Sequence, residues 1–320
     1  MQFPSQLRSR LTIPVIGSPL FIISGPELVI AQCRAGVIGS FPSLNARPSG
    51  VFEQWLQRLN DELGDRDAPY AVNLIVHRSN TRLEEDLALC VKYRVPIIIT
   101  SLGARTDVFD AVHSYGGIVL HDVIDDTFAR KAIAKGADGL IAVATGAGGH
   151  AGTLSPFALV QEIRRWFDGP LALSGSIATG GAVLAAEAIG ADFGYIGSAF
   201  IATTEANADP AYKAMITRSF ASDIVYTNLF TGVHGNYLAP SIVAAGLDPA
   251  NLATSDPTKM DFGASAAAKA WRDIWGCGQG IGIIDAVQPV ARFVEQLRRE
   301  YADARSRLTD GQEVKASCAA

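Results

Sequence analysis

The stretch Gly139-Leu-Ile-Ala-Val-Ala-Thr-Gly-Ala-Gly-Gly-His-Ala-Gly152 predicts a buried strand followed directly by a glycine-rich loop. Its apolar first half is typical of a strand covered on both faces in a parallel sheet. The loop carries one histidine, His150, among glycines that let the backbone approach a ligand closely. Histidine is the side chain best matched to proton transfer near neutral pH. The stretch therefore predicts a strand that ends in a catalytic loop.

Similar apolar runs recur along the chain and alternate with helix-like stretches. The predicted strands are Ile13–Gly17, Val37–Phe41, Tyr70–Val76, Ile97–Ser101, Gly117–Asp122, Gly139–Ala144, Leu171–Gly175 and Asp192–Gly197. The predicted helices between them include Gly50–Leu63, Arg82–Tyr93, Asp125–Lys135, Leu159–Phe167 and Gly180–Ile189. Regular β-α alternation implies a parallel sheet, and eight units predict a closed (β/α)8 TIM barrel.

The pattern changes after the eighth strand. Residues 205–280 contain the predicted helices Pro210–Ser222 and Ser265–Trp275, and we interpret them as a mainly helical insertion that serves as a substrate lid. The helix Asp285–Arg305 has apolar residues at helical spacing and completes the outer ring. The sequence thus predicts a barrel formed by residues 1–204 and 281–305, the insertion, and a flexible tail over 306–320.

Composition excludes several classes of function. Of the 320 residues 48% are hydrophobic, and the net charge of −5 comes without a basic cluster, which argues against nucleic acid as a partner. The four cysteines form no CxxC pair, so neither a disulfide framework nor a metal site is expected. The apolar run Leu11–Ile23 is broken by two prolines and is too short to span a bilayer. We expect a cytoplasmic protein without a membrane partner.

The loops after strands seven and eight predict a phosphate site, because many barrels hold a phosphate there with backbone N–H groups and a helix N-terminus. The small residues of these loops are Gly175, Ser176, Gly180, Gly181, Gly197 and Ser198. A phosphate held there would leave the rest of a cofactor over the barrel mouth, facing His150. Two alternatives stay open: the glycines only cap strands and turns, and His150 is a structural histidine bonded to a loop carbonyl.

The motifs together resemble the nitronate monooxygenase family, formerly called 2-nitropropane dioxygenases, over roughly residues 10 to 300. The resemblance is carried, in chain order, by Pro14–Leu20, Ser24–Glu27, Ala147–Gly152, Ser174–Gly181, Gly190–Asp192, Gly197–Phe200 and Trp275–Gly280. It implies an FMN-dependent barrel that oxidises alkyl nitronates with O₂ to a carbonyl compound and nitrite.

The resemblance also implies roles for individual residues. His150 takes the catalytic position, and the small residues of the last two loops hold the FMN phosphate. The remaining implied cofactor contacts are Pro19, Leu20 and Phe21 against the isoalloxazine, Asn73 as a polar contact, Gly148 and Gly149 beside the histidine, and Gln279 near the flavin.

Several readings remain open at this point. The same barrel could serve an FMN-dependent NAD(P)H:quinone or enoyl-thioester reductase, or a flavin-free protein that binds a phosphorylated metabolite. His121-Asp122, at the end of strand five, could touch the pyrimidine edge of the flavin or be a buried pair bonded within the barrel. His234 could line the substrate pocket or lie in a surface loop. The sequence determines neither the physiological substrate nor whether the chain forms a homodimer.

Overall fold

Eight parallel strands form a barrel in the computed structural model, which describes residues 3–48, 50–255 and 274–317, with side chains up to residue 309. The barrel strands are β1 (Val15–Gly17), β2 (Gly39–Pro42), β3 (Tyr70–Ile75), β4 (Ile97–Ser101), β5 (Ile118–Val123), β6 (Gly139–Val143), β8 (Leu171–Ser174) and β9 (Phe193–Ile196). Strand β7 (Gly149–His150) lies outside the barrel. The pairing order is β1-β9-β8-β6-β5-β4-β3-β2, and a bridge between Ile16 and Ile38 closes β1 onto β2. The predicted TIM barrel is confirmed.

One short helix precedes the first barrel strand and others follow the strands. They are α1 (Ser5–Arg8), α2 (Pro26–Arg34), α3 (Val51–Glu62), α4 (Leu83–Lys92), α5 (Thr106–His113), α6 (Asp126–Ala134), α7 (Pro156–Arg164), α8 (Gly180–Ala188) and α9 (Ser198–Ile201). Of these, the five helices that were predicted with bounds, α3, α4, α6, α7 and α8, agree with those bounds to within three residues. The largest shift is at α7, which begins at Pro156 because proline at the first helical position needs no backbone donor.

The alternation of side chains along the strands separates two apolar layers. One set points into the barrel, where Leu120 of β5, Ile99 of β4 and Phe193 of β9 belong to one buried apolar cluster. The neighbouring positions, such as Val119, point outward and pack beneath the helices. Because both faces are buried, the strands are almost continuously apolar. The same alternation decides which polar residues at the strand ends face the barrel axis.

The insertion contains a β-hairpin that the sequence analysis did not predict. Strands β10 (Ile224–Thr227) and β11 (Gly235–Leu238) are antiparallel, and β11 also pairs with β7. Helix α10 (Pro210–Ile216) and a 3₁₀ turn at Ala221–Asp223 precede the hairpin, and α11 (Ala239–Ala244) follows it. The helix predicted over Pro210–Ser222 thus ends six residues early, at Ile216. Thr217 and Ser219 follow, and both residue types have side chains that compete with the helix for backbone hydrogen bonds. The helix predicted over Ser265–Trp275 lies outside the described residues except at its last two positions.

The last helix, α12 (Val290–Ser317), begins five residues later than predicted, directly after Pro289. Gln288 forms an extended bridge with Thr203, which keeps the preceding residues out of the helix. The helix continues beyond Arg305, so residues 306–317, predicted as a flexible tail, have helical backbone. No helix in the described residues is long and apolar enough to cross a membrane.

Candidate active site

A cavity of about 830 Å³ opens at the carboxyl ends of the barrel strands. Its size lies within the range of small-molecule and cofactor sites. Most of the residues predicted for the site line it together. These are Pro19, Leu20, Phe21, Asn73, His121, Gly148, Gly149, His150, Gly175, Ser176, Gly197 and Ser198. Gly180, Gly181 and Gln279 do not line this cavity.

The loops after β8 and β9 present backbone donors to the cavity. Gly175 has φ +140° and Ser176 has φ +57°, so the chain turns sharply where β8 ends. Within the described residues the backbone N–H groups of Ser176, Ile177 and Ser198 donate no hydrogen bond. Unpartnered N–H groups at such a turn and at a helix start attract anions. A Cβ on Gly197 would lie 2.7 Å from Ser18 Oγ, so the loop after β9 lies close to the loop after β1.

Gly180 has a packing function in this structure. The Gly180 N–H donates to Glu300 Oε2 at 2.8 Å, so a carboxylate of α12 already caps the start of α8. A Cβ on Gly180 would lie only 2.0 Å from the Leu297 carbonyl oxygen. The sequence analysis assigned Gly180 and Gly181 to phosphate binding, but α8 starts beside α12, away from the cavity.

Gln279 lies beside the main cavity in a separate, smaller one that it shares with Thr179 and Phe220. Its backbone N–H donates to the Gly146 carbonyl at 2.9 Å. The neighbouring residues Gly278 and Gly280 do line the main cavity. The return from the insertion thus approaches the site as expected, but it does so through glycine backbone.

His150 is held at the cavity wall by the insertion. It pairs with Gly235 of β11, and its Nε2 lies 3.0 Å from Thr231 Oγ1. The Thr231 hydroxyl in turn donates to the Val233 carbonyl at 3.0 Å. Burial lowers the pKa of His150 to about 4, so the imidazole is neutral at physiological pH. A neutral imidazole can accept a proton from a ligand.

A polar layer faces the barrel axis beneath the cavity mouth. Asn73 Nδ2 donates to Ser101 Oγ at 2.8 Å, and Ser101 Oγ donates to Asp122 Oδ2 at 2.5 Å. Asp122 Oδ1 is buried without a hydrogen-bond partner in the described part of the chain. Burial raises the pKa of Asp122 to about 6, although the Ser101 hydrogen bond opposes the shift. This layer can therefore hold a proton close to neutral pH.

The two further candidate histidines lie away from the barrel axis. His121 points outward from β5, where its Nδ1 lies 2.7 Å from Thr100 Oγ1 and its ring packs edge-on against Phe109 of α5. His234 is exposed and stacks on the ring of Tyr226. His121 and Asp122 therefore point to opposite faces of β5 and do not form the buried pair that was one of the two readings, whereas His234 lies on the surface.

Sequence reasoning missed several residues that the fold brings to the cavity. Thr231 lies 81 positions from His150 along the chain, and no motif links the two. Trp275 lines the cavity and stacks on Tyr212. Ser101 and Tyr195 could have been found from strand alternation, since each is the last inward position of its strand. The described residues contain no cluster of three or more side chains suited to hold a metal ion.

Comparison with known proteins gives consistent likenesses. A family model described as nitronate monooxygenase matches residues 48–300. A nitronate monooxygenase from Paraburkholderia phytofirmans is 25% identical, and the alignment covers 90% of this chain and 92% of that protein. The crystal structure of a nitroalkane oxidase from Streptomyces ansochromogenes superposes with a TM-score of 0.80 at 25% identity, covering 95% of this chain and all of that one. FabK from Thermotoga maritima, at 22% identity and a TM-score of 0.77 over 97% and 99% of the two chains, shares the fold.

Proposed function

This chain belongs to the nitronate monooxygenase family of flavin-dependent oxidoreductases, and from that premise we propose that it uses FMN and O₂ to oxidise alkyl nitronates to a carbonyl compound and nitrite. The observation that carries the proposal is the neutral imidazole of His150 in the wall of a cavity that also has an anion-binding turn. Such a cavity provides a base for the substrate and an anchor for a phosphorylated cofactor.

The residues at the cavity fit FMN. The unpartnered N–H groups of Ser176, Ile177 and Ser198 would bind its phosphate, with Gly175 and Gly197 allowing the close approach. Pro19, Leu20 and Phe21 would pack against the ring system, as the resemblance implies. When bound, FMN would supply the redox chemistry between the nitronate and O₂, while the residues of this chain would bind and orient it.

The polar layer beneath the mouth would contact the polar edge of the ring. Asn73 and Asp122 face the barrel axis, whereas His121 faces the helix layer. Gly148 and Gly149 lie next to His150 at the cavity, and Gly148 lets this loop approach the backbone of Gly278, since a Cβ there would lie 2.8 Å from Gly278 N. We therefore assign the polar ring contacts to Asn73 and Asp122 in place of His121.

His150 would remove the C–H proton when the substrate arrives as a neutral nitroalkane. The contact of His150 Nε2 with Thr231 Oγ1, at 3.0 Å, would orient the imidazole for this step. A positioned base of this kind contributes roughly 10²–10⁴-fold to a rate.

The proposal is tested by mixing the yellow protein anaerobically with ethylnitronate and, separately, with NADH or NADPH. We expect bleaching of the flavin absorbance by the nitronate alone, and nitrite release once O₂ is admitted. Rapid bleaching by a reduced nicotinamide, with none by the nitronate, would instead identify a reductase. His150→Asn should slow turnover of neutral nitroethane and leave the flavin content unchanged.

A further inference from the structure

The main cavity has a side lobe that leaves the barrel axis and runs out over the end of β5. The side lobe is lined by Leu102, Gly103, Ala104, His121, Ile124, Phe128, Lys131, Ala132 and Lys135. Its position follows from strand alternation: Asp122 points to the axis, whereas His121 packs on Phe109 in the helix layer. The lobe therefore lies between the sheet and the helices, displaced from His150 and from the phosphate-binding turn.

One face of α6 and the loop before it forms the wall of the side lobe. Ile124, Phe128, Lys131 and Lys135 recur at intervals of three and four residues, which places them on one side of a helix. The two apolar side chains are unusually exposed for their type, at 43% for Ile124 and 50% for Phe128. An apolar strip that lines a cavity is suited to the hydrocarbon part of a ligand.

The same face ends in two cations. Within the described residues neither Lys131 nor Lys135 forms an ion pair with a carboxylate. Lys135 Nζ donates to the Ala104 carbonyl at 2.6 Å, which fixes the ammonium group across the lobe and leaves two of its three donors for a ligand. Burial, and to a smaller extent the positive charge of Lys135, lowers the pKa of His121 to about 4. The His121 imidazole is thus neutral, so it carries no charge that would draw an anion away from the two lysines.

The order of these groups selects a class of ligand. Starting at the catalytic cavity, the wall is first apolar and then doubly cationic. A short nitroalkane beside His150 would contact neither the apolar section of this wall nor its two lysines. A chain of several methylene groups that ends in an anion would bury its hydrocarbon against Ile124 and Phe128 and place its charge at Lys131 and Lys135.

We propose that the side lobe binds the distal part of the substrate, and that this part is an apolar chain ending in a carboxylate or a phosphate. The inference rests on the proposed function only for the reaction at the other end of the substrate. Binding to the lobe is a separate property that can be measured without turnover.

The test uses the flavin-loaded protein and three probes of equal chain length: decanoate, decyl phosphate and decan-1-ol. We expect calorimetry to give at least tenfold tighter binding for one of the anions than for the alcohol. Whichever anion is preferred identifies the source of the charge as carboxylate or phosphate. Equal affinity for the alcohol and both anions overturns the proposal.

Variants locate the effect. The double variant Lys131→Ala/Lys135→Ala should lose the preference for the anion, and Phe128→Ala should weaken all three probes alike. Lys92→Ala is the matched control, because it removes an exposed lysine of α4 that pairs with Glu53 of α3. It should leave the affinities for all three probes unchanged. Retention of the anion preference in the double variant overturns the proposal. So does loss of flavin from that variant, because the two lysines would then bind the cofactor phosphate.

Two measurements on the same protein, probe binding and ethylnitronate oxidation, separate this proposal from the proposed function. Tight anion binding in a protein that does not oxidise nitronates would refute the proposed function alone. Nitronate oxidation by a protein that binds the alcohol and both anions equally would refute the side-lobe assignment alone.

Discussion

Replacing Asp122 by asparagine should stabilise the protein at alkaline pH relative to acidic pH. Burial raises the pKa of Asp122 from 3.8 to about 6, so the folded chain binds this proton more tightly than the unfolded chain does. For a raised pKa, the stabilisation is complete below the unfolded value and is lost as the pH rises through the folded value. The wild-type protein therefore carries a penalty above pH 6 that Asp122→Asn lacks.

The magnitude follows from the size of the shift. A change of about two pKa units at about 1.4 kcal/mol per unit gives a total penalty of about 3 kcal/mol. Because the unfolded carboxyl is already partly ionised at pH 4, roughly 2 kcal/mol of this should appear between pH 4 and pH 8. The asparagine amide oxygen can still accept the hydrogen bond from Ser101, so the packing is largely retained.

The assay is urea-induced unfolding of both proteins at pH 4, 6 and 8 with their flavin content matched. The quantity of interest is the stability of the variant minus that of the wild type, since other titrating groups cancel in this difference. Asp107→Asn is the control: Arg105 lowers the pKa of that exposed carboxyl, so its difference should drift slightly in the opposite direction. A difference that stays constant from pH 4 to pH 8 would refute the reasoning for Asp122.

Three further predictions concern the catalytic loop and the packing of α8. The initial rate with neutral nitroethane should be constant from pH 8 down to about 5 and fall at lower pH. The reason is that His150 becomes protonated, and so stops acting as a base, only as the pH drops through about 4. A fall in rate that begins near pH 6.5 would contradict the burial of His150. Thr231→Val should lower kcat by up to about tenfold, the value of one hydrogen bond, and should also shift this pH profile. Thr231→Ser keeps the hydroxyl and should therefore retain the wild-type kcat and pH profile. Gly180→Ala should destabilise the protein by about 2–3 kcal/mol in thermal unfolding, because its Cβ would lie 2.0 Å from a carbonyl oxygen. Gly181→Ala, whose Cβ would meet nothing closer than 3.8 Å, should be neutral or slightly stabilising, and equal effects of the two substitutions would contradict this account.

The barrel could be predicted because its signals are local. Each strand is a short apolar run bounded by glycine or proline, and the repeated alternation with helices leaves few arrangements other than a parallel barrel. Several boundaries shifted where one residue dominates, as at Pro156 and Pro289. The hairpin of the insertion was not predicted, because β11 is stabilised by pairing with Gly149 and His150, which lie far from it in sequence.

The site could be predicted in part. The carboxyl end of each strand is known once the strand is known, so Asn73, His150, Gly175 and Ser176 could be assigned to one edge of the barrel. Gly180 shows where this approach fails. Its glycine signature fits a phosphate loop and close helix packing equally well, and only the position of α12 decides between them.

The sequence by itself determined the barrel, the glycine loop with His150 and the glycine-containing turn after β8, because each depends on residues that are close together in the chain. The tertiary structure decided the protonation of the site and the shape of its cavity. Burial lowers the pKa of His150 and raises the pKa of Asp122. Both shifts depend on neighbours that distant segments of the chain contribute. The outward direction of His121 and the side lobe beside it depend likewise on how the strands and helices pack around the closed barrel.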